Sequence, residues 1–276
     1  MSTPGRPKGE YRSAQREGSP MSTARGALHL VPNTLDFGMA GAPPDLQEAL
    51  PLGVIRIASR LEHWIAENAK TARAFLKRVD SVVPLLRPLQ AISIVELRKP
   101  PKGGIGKAPA FDAASLLGPA LQGHDIGLIS EAGLPAVADP GAAVVAAAHA
   151  LDVRVVPLPG ASSLMLALAA SGLNGQSFAF VGYLPIDPAA RAARIKELEG
   201  ISRRHAQTQL AIETPYRNGA LLAALLDSLQ GPTRLSVSCA LTLPGGFVCT
   251  DRVTAWRTRA TTLPADLPAV FSFLAA

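Results

Sequence analysis

The stretch DIGLISEAGLPAVADPGAAVVAAAHAL, Asp125 to Leu151, constrains the fold more than any other part of the chain. A short apolar run breaks at Gly133, Pro135, Asp139, Pro140 and Gly141, then resumes as an alanine-rich run. The first run reads as a buried strand over 125–129, and the second, long enough for several turns, as a helix over 142–150. VRVVPLPG follows as another strand and ASSLMLALAASG as another helix. A strand that returns only after an intervening helix lies parallel to its predecessor, so this region predicts a parallel sheet with helical crossovers.

The rest of the chain extends the pattern. GALHLVPNT (26–34) reads as a strand, and RIASRLEHWIAENAKTARAFLKRV as one helix, with Ile57, Leu61, Trp64, Ile65, Ala69, Ala72 and Leu76 near helical spacing. LQAISIVEL (89–97) is a strand and AASLLGPALQG a helix closed by Gly123. Beyond Leu173 come a strand in SFAFVGYLP, a helix over 189–205, a strand in TQLAIETP and a helix over 218–229. TRLSVSCALTL, FVCTDRVTAW and PAVFSFLA then read as closely spaced strands, which predicts a mixed or antiparallel second sheet. The expected fold class is therefore α/β with two domains. A parallel-sheet N-terminal domain spans 26–159 and a mixed-sheet C-terminal domain 160–276, after a basic, disordered tail over 1–25.

That tail is rich in Ser, Gly, Pro and Arg and has no apolar core of an export signal, which places the protein in the cytoplasm and leaves Met21 open as an alternative start to Met1. It holds half of the formal net charge of +6. The mildly basic remainder is compatible with a nucleic-acid partner without requiring one. No apolar segment approaches the roughly 20 residues of a membrane span. Cys239 and Cys249 fit core thiols in a reducing compartment, and the five histidines show no metal-binding spacing, so neither membrane nor metal is expected.

In open parallel sheets, ligands bind outside the carboxyl ends of the strands, and Ser130 to Gly141 lies at such an end. Gly133 lets backbone approach a ligand closely, Pro135 stiffens the turn, and Asp139–Pro140 is a helix start with an acid at the N-cap and proline at the first helical position. One such turn is usually only a well-capped connection. PLPGASS puts Gly160, Ser162 and Ser163 at the next strand end, where the serines either cap the helix or meet a ligand's polar edge. Two turns of small residues at neighbouring strand ends make a cradle. GGIGKAP lacks the spacing of a phosphate loop, and no GxGxxG dinucleotide fingerprint occurs.

LISEAGLPAVADPG, VVPLPGASSLMLALAASGL with the following FAFVGYLP, and IETPYR, in that order, resemble the tetrapyrrole (corrin/porphyrin) methylase superfamily of S-adenosylmethionine-dependent methyltransferases. Within it the chain is most similar to the branch that methylates a cytidine ribose 2′-hydroxyl in small-subunit ribosomal RNA. The resemblance runs from about Gly26 to Ala276. It implies a homodimeric two-domain enzyme with the cofactor in the cleft between domains. Ser130, Glu131, Ala132, Gly133, Leu134 and Pro135 would face that cofactor, with Asp139, Pro140 and Gly141 supporting them. Pro32 with Gly160, Ser162 and Ser163 would form the next wall, and Ile212, Glu213 and Thr214 would close the cleft. The branch's TPIGNL-like and AEDTR-like motifs correspond to VPNTLDFG and AENAKTA, where Asn68 stands at the acid position and Lys70 at the arginine position.

The sulfonium of such a cofactor is already activated, so the protein's task is to align a nucleophile and help it lose a proton. Glu67 and Lys70 are the catalytic candidates; the alternative is an exposed i,i+3 ion pair contributing about 0.3 kcal/mol. For the RNA substrate, Lys99, Lys102 and Lys107, beside Arg98 in an acid-free Gly/Pro loop, are phosphate candidates. Tyr216 and Arg217 either stack on and clamp a base or cap the next helix. The expected partners are RNA or a ribosomal subunit and a second copy of the chain. The competing functions are methylation of a tetrapyrrole or other small molecule, and a non-catalytic cofactor-binding RNA module.

Overall fold

The computed structural model describes residues 25–36, 45–97, 112–259 and 261–276. The first sheet holds β1 (Ala27–Leu30), β2 (His63–Ala66), β3 (Ser93–Glu96), β4 (Ile126–Ile129) and β5 (Arg154–Pro157), in the order β3-β2-β4-β1-β5. All of its pairings are parallel, as the crossover pattern predicts.

Period-2 alternation sends the side chains of this sheet to two helical layers. Val31, Trp64 and Ile129 pack with α1 (Leu46–Ala49), α2 (Leu52–Ala58) and α3 (Ala69–Val82). Leu28, Ile65 and Leu128 pack on the other face with α4 (Gly118–Leu121) and α5 (Gly141–Ala150). Gly127 sits opposite Trp64 in the β2–β4 register, and a Cβ there would lie 2.7 Å from the indole ring. The tryptophan therefore needs a glycine neighbour.

The single helix expected over 56–79 is instead α2, the strand β2 and α3. Trp64 and Ile65 lie on opposite faces of β2, each fully buried, so their apparent helical spacing reflects two buried layers. Asn68 ends the strand and starts α3, its Oδ1 accepting from Lys70 N at 2.9 Å and Thr71 N at 3.3 Å.

The second sheet is mixed, ordered β6 (Phe178–Tyr183), β7 (Thr208–Glu213), β10 (Ala269–Leu274), β8 (Arg234–Cys239), β9 (Phe247–Arg252). β6 and β7 are parallel and the other pairs antiparallel. α7 (Pro188–His205) and α8 (Asn218–Ser228) cover one face through Ile195, Leu198, Leu221 and Leu225. α6 (Ser163–Ser171) covers the other, Ala167 and Leu168 packing on Leu210 and Val270. The strand expected over FVCTDRVTAW stops at Arg252; Val253–Trp256 is a helical turn, α9, that buries Trp256 and lets its indole N–H donate to Leu235 O at 2.8 Å.

Candidate functional site

Three central strands of the first sheet, β2, β4 and β1, release their chains side by side at their carboxyl ends. The segment after β1 is tied to the turn after β4. Asn33 N donates to Gly133 O at 2.9 Å, and the Asn33 amide donates to Ser130 O at 3.2 Å and Glu131 O at 3.0 Å. Arg78 of α3 holds the following residues, donating to Asp36 Oδ2 at 2.9 Å and Thr34 Oγ1 at 3.0 Å. From the β2 side, Glu67 Oε2 accepts from Glu131 N at 3.1 Å, and the Asn68 amide donates to Glu131 Oε1 at 3.0 Å.

Asp139 organises the turn itself. Its carboxylate accepts from Ser130 Oγ and Ala136 N, each at 2.8 Å, and from Gly141 N at 2.6 Å. The last resembles a capping bond, but α5 begins at Gly141 with Pro140 at the N-cap position and no side-chain cap, one residue later than Asp139–Pro140 predicts. The other two hold a loop in which Ala136 and Ala138 adopt φ of 67° and 62°. Such left-handed non-glycine residues persist only where their surroundings over-determine them. Gly133 has φ +68°, and a Cβ there would lie 3.3 Å from Leu35 Cδ2. Its glycine serves the backbone conformation and the Leu35 contact. Gly160 serves packing too, since a Cβ there would fall 2.3 Å from the Pro32 ring.

The second sheet supplies the facing wall. Ser238, Val270 and Ile212 lie in register across β8, β10 and β7, and Ala269 pairs with Glu213. Glu213 is buried, its Oε1 accepting from Arg217 Nε at 3.0 Å and Nη2 at 2.6 Å and from Thr214 N at 2.7 Å. Ser162 precedes α6 with extended dihedrals, but its side chain makes no capping bond.

Between these walls lies a cavity of about 300 Å³. Of the expected residues, Glu67, Ser130, Glu131, Ala132, Asp139, Ser163, Ile212, Glu213 and Thr214 line it. Pro32, Gly133, Leu134, Pro135, Pro140, Gly141, Gly160 and Ser162 are not among the lining residues; Gly160 borders a neighbouring hollow that shares Leu35. Lys70 is exposed on the first turn of α3, whereas Glu67 precedes the N-cap and turns inward, so the helical spacing assumed for the pair does not hold. Tyr216 is largely exposed, and Arg217 is engaged by Glu213. Arg98, Lys99, Lys102 and Lys107 lie outside the described residues.

Among the lining residues that the sequence reading missed are Leu35, Tyr183, Ser238, Asp266, Ala269 and Val270. Of these, only Tyr183 carried a signal, as a polar aromatic residue directly after a glycine at a strand end. Tyr183's phenol is pushed above its usual range by burial and by the carboxylates of Glu213 and Glu67, with Arg217 opposing.

The lining presents five carboxylates, Glu67, Glu131, Asp139, Glu213 and Asp266, against small residues and the apolar Leu35, Val137, Ile212 and Val270. Ser238 Oγ is buried without a hydrogen-bond partner. A compact organic cation with a polar edge suits this lining; a bare phosphate does not. Among the described residues no group of His, Cys, Asp or Glu side chains is arranged to hold a metal ion, and no helix is long and apolar enough to cross a membrane.

The model of the tetrapyrrole (corrin/porphyrin) methylases matches residues 37–253, which takes in most of the residues that line this cleft, from Glu67 to Leu241. The chain belongs to that family. Proteins similar in sequence include the ribosomal RNA small subunit methyltransferases I of Mesorhizobium japonicum (37% identical over 48% of this chain), Pseudomonas aeruginosa (40% over 41%) and Halalkalibacterium halodurans (29% over 70%). The chain spans 44%, 38% and 57% of the lengths of these relatives. Among solved structures, a uroporphyrin-III C-methyltransferase from Thermus thermophilus superposes with a TM-score of 0.51 at 21% identity, covering 91% of this chain and 94% of that one. A conserved hypothetical protein from Aeropyrum pernix reaches 0.58 at 16% identity, covering 91% and 85%. At these identities the structural likeness establishes the fold of a tetrapyrrole methylase with two α/β domains, in agreement with the sequence expectation.

Proposed function

We propose that the protein is an S-adenosylmethionine-dependent methyltransferase that methylates a ribose 2′-hydroxyl of ribosomal RNA. The observation that carries the cofactor half is the interdomain cavity of about 300 Å³, where carboxylates, among them Glu213 already paired with Arg217, meet small and apolar residues of both domains, a lining that suits a compact organic cation. When bound, that group supplies an activated methyl. Ser130, Glu131 and Ala132 would hold it from the first domain, and Ser163, Ile212, Glu213 and Thr214 from the second. Glu67, fixed by the Glu131 N–H and facing the cavity, is the base candidate. Lys70, exposed on the first turn of α3, is left to a solvent or phosphate contact.

The acceptor half is supported by the names of the sequence relatives. An acidic cleft repels a polyanion, so RNA phosphates would be held at its rim, by Arg217 once a phosphate competes with Glu213; Lys99, Lys102 and Lys107, outside the described residues, stay phosphate candidates by their sequence alone. This reading includes a homodimer working in the cytoplasm. The family's tetrapyrrole-modifying members support a second reading, a planar small-molecule acceptor.

Titration calorimetry with S-adenosylhomocysteine tests the cofactor, and absence of binding at millimolar ligand would refute it. Labelled methyl transfer offered in parallel to small ribosomal subunits and to porphyrin precursors separates the acceptors. Cofactor binding without transfer to either would instead indicate the non-catalytic module.

A further inference from the structure

Along β6, Phe178, Ala179 and Phe180 pair with Thr208, Gln209 and Leu210 of β7, but the next pairing joins Tyr183 to Ile212. Three steps on β6 are thus taken against two on β7, so β6 carries one extra residue. A one-residue insertion transfers everything after it to the opposite face. Regular alternation from Phe180, which packs beside Val270, would turn residue 183 toward the face covered by α7 and α8. The bulge instead aligns Tyr183 with Ile212, on the face that borders the cleft. Gly182 makes the bulge accessible: its φ is +72°, and a Cβ there would meet nothing within 4 Å, so the residue is required by the backbone and not by crowding.

The tyrosine delivered there is 55% exposed, although it lines the same cavity as Glu67, Ser130 and Glu213. An aromatic side chain held by a bulge at a cleft and more than half exposed is a stacking surface. Resting on the RNA reading above, we propose that Tyr183 is an acceptor-binding residue, its ring stacking on the base of the nucleotide to be methylated and its hydroxyl orienting that nucleotide's ribose beside Glu67 and Glu213. The raised phenol keeps the hydroxyl protonated, hence a donor, at any working pH.

The test compares the full-length protein with Tyr183→Leu, Tyr183→Phe and Tyr183→Trp. Binding to small-subunit rRNA is read by fluorescence anisotropy, binding to S-adenosylhomocysteine by calorimetry, and KM and kcat by methyl transfer. Loss of one stacked base is worth about 1–3 kcal/mol, so Tyr183→Leu is expected to weaken RNA binding and raise KM by about fivefold or more with unchanged cofactor affinity. Tyr183→Trp and Tyr183→Phe are expected to keep RNA affinity, the latter with reduced kcat. Unchanged RNA affinity in Tyr183→Leu, an equal loss in Tyr183→Trp, or a loss confined to cofactor binding each overturns the proposal. Those results leave the RNA reading standing. A wild-type protein that binds cofactor but neither binds nor methylates rRNA overturns both.

Discussion

The Asn68 side-chain amide donates to Glu131 Oε1 at 3.0 Å, joining the first turn of α3 to the turn after β4. The same side chain caps α3 through its oxygen, so both ends of one amide are used. An aspartate, which the related motif carries at this position, keeps the cap but has no proton for Glu131.

Asn68→Asp should therefore destabilise the protein by about 1–2 kcal/mol at neutral pH through the lost bond and the new like-charge contact. Urea unfolding of wild type and variant at low and high salt measures this; a salt-independent difference would exclude the charge explanation.

Asp139→Ala removes three hydrogen bonds from a loop whose Ala136 and Ala138 sit at positive φ. A loss of about 2–3 kcal/mol is expected, seen as a lower urea midpoint at unchanged m-value. S-adenosylhomocysteine affinity should fall as well, since Ser130 loses its anchor.

Gly133→Val is expected to lower the melting temperature as well as any ligand affinity, because valine is strained at φ +68° and meets Leu35. Gly133→Ala, with a smaller clash, should fall between. Thermal melts by circular dichroism order the three proteins.

Arg217→Ala strands the buried Glu213 carboxylate and should cost about 3 kcal/mol. Adding Glu213→Gln removes the stranded charge, so the double variant should recover much of that loss. A double-mutant cycle on unfolding free energies supplies the coupling.

Tyr183 should ionise above the ordinary tyrosine range, and the difference in phenolate absorbance between wild type and Tyr183→Phe measures this. The folded state holds this proton more tightly than the unfolded chain. The associated stability is thus complete below the ordinary tyrosine pKa of 10.0 and is lost as pH rises through the raised folded value.

Much of this architecture was legible because strand and helix signals alternate so cleanly after Asp125, and because Asp139–Pro140 puts a helix start within one residue of where α5 begins. β2 was hidden: four residues, buried on both faces between two helices, carry no alternation that a helical pattern would not also accommodate. The first-domain wall of the cleft could be read from small residues at strand ends. Its glycines, however, answer to Leu35 and to the Pro32 ring, which only the fold brings near. The facing wall was harder, since Ser238, Asp266, Ala269 and Val270 come from segments whose sequence shows only core periodicity and a loop. Tyr183 was concealed by the bulge, which reverses the face that counting along the strand assigns.

β10 separates β7 from β8, although it follows both in the chain. The second sheet therefore closes only through pairing of strands distant in the chain. Folding of this half is expected to be slow, and the ligand pocket, whose facing wall includes Ala269 and Val270, requires that pairing. A cofactor analogue would then slow unfolding while leaving the rate of refolding unchanged.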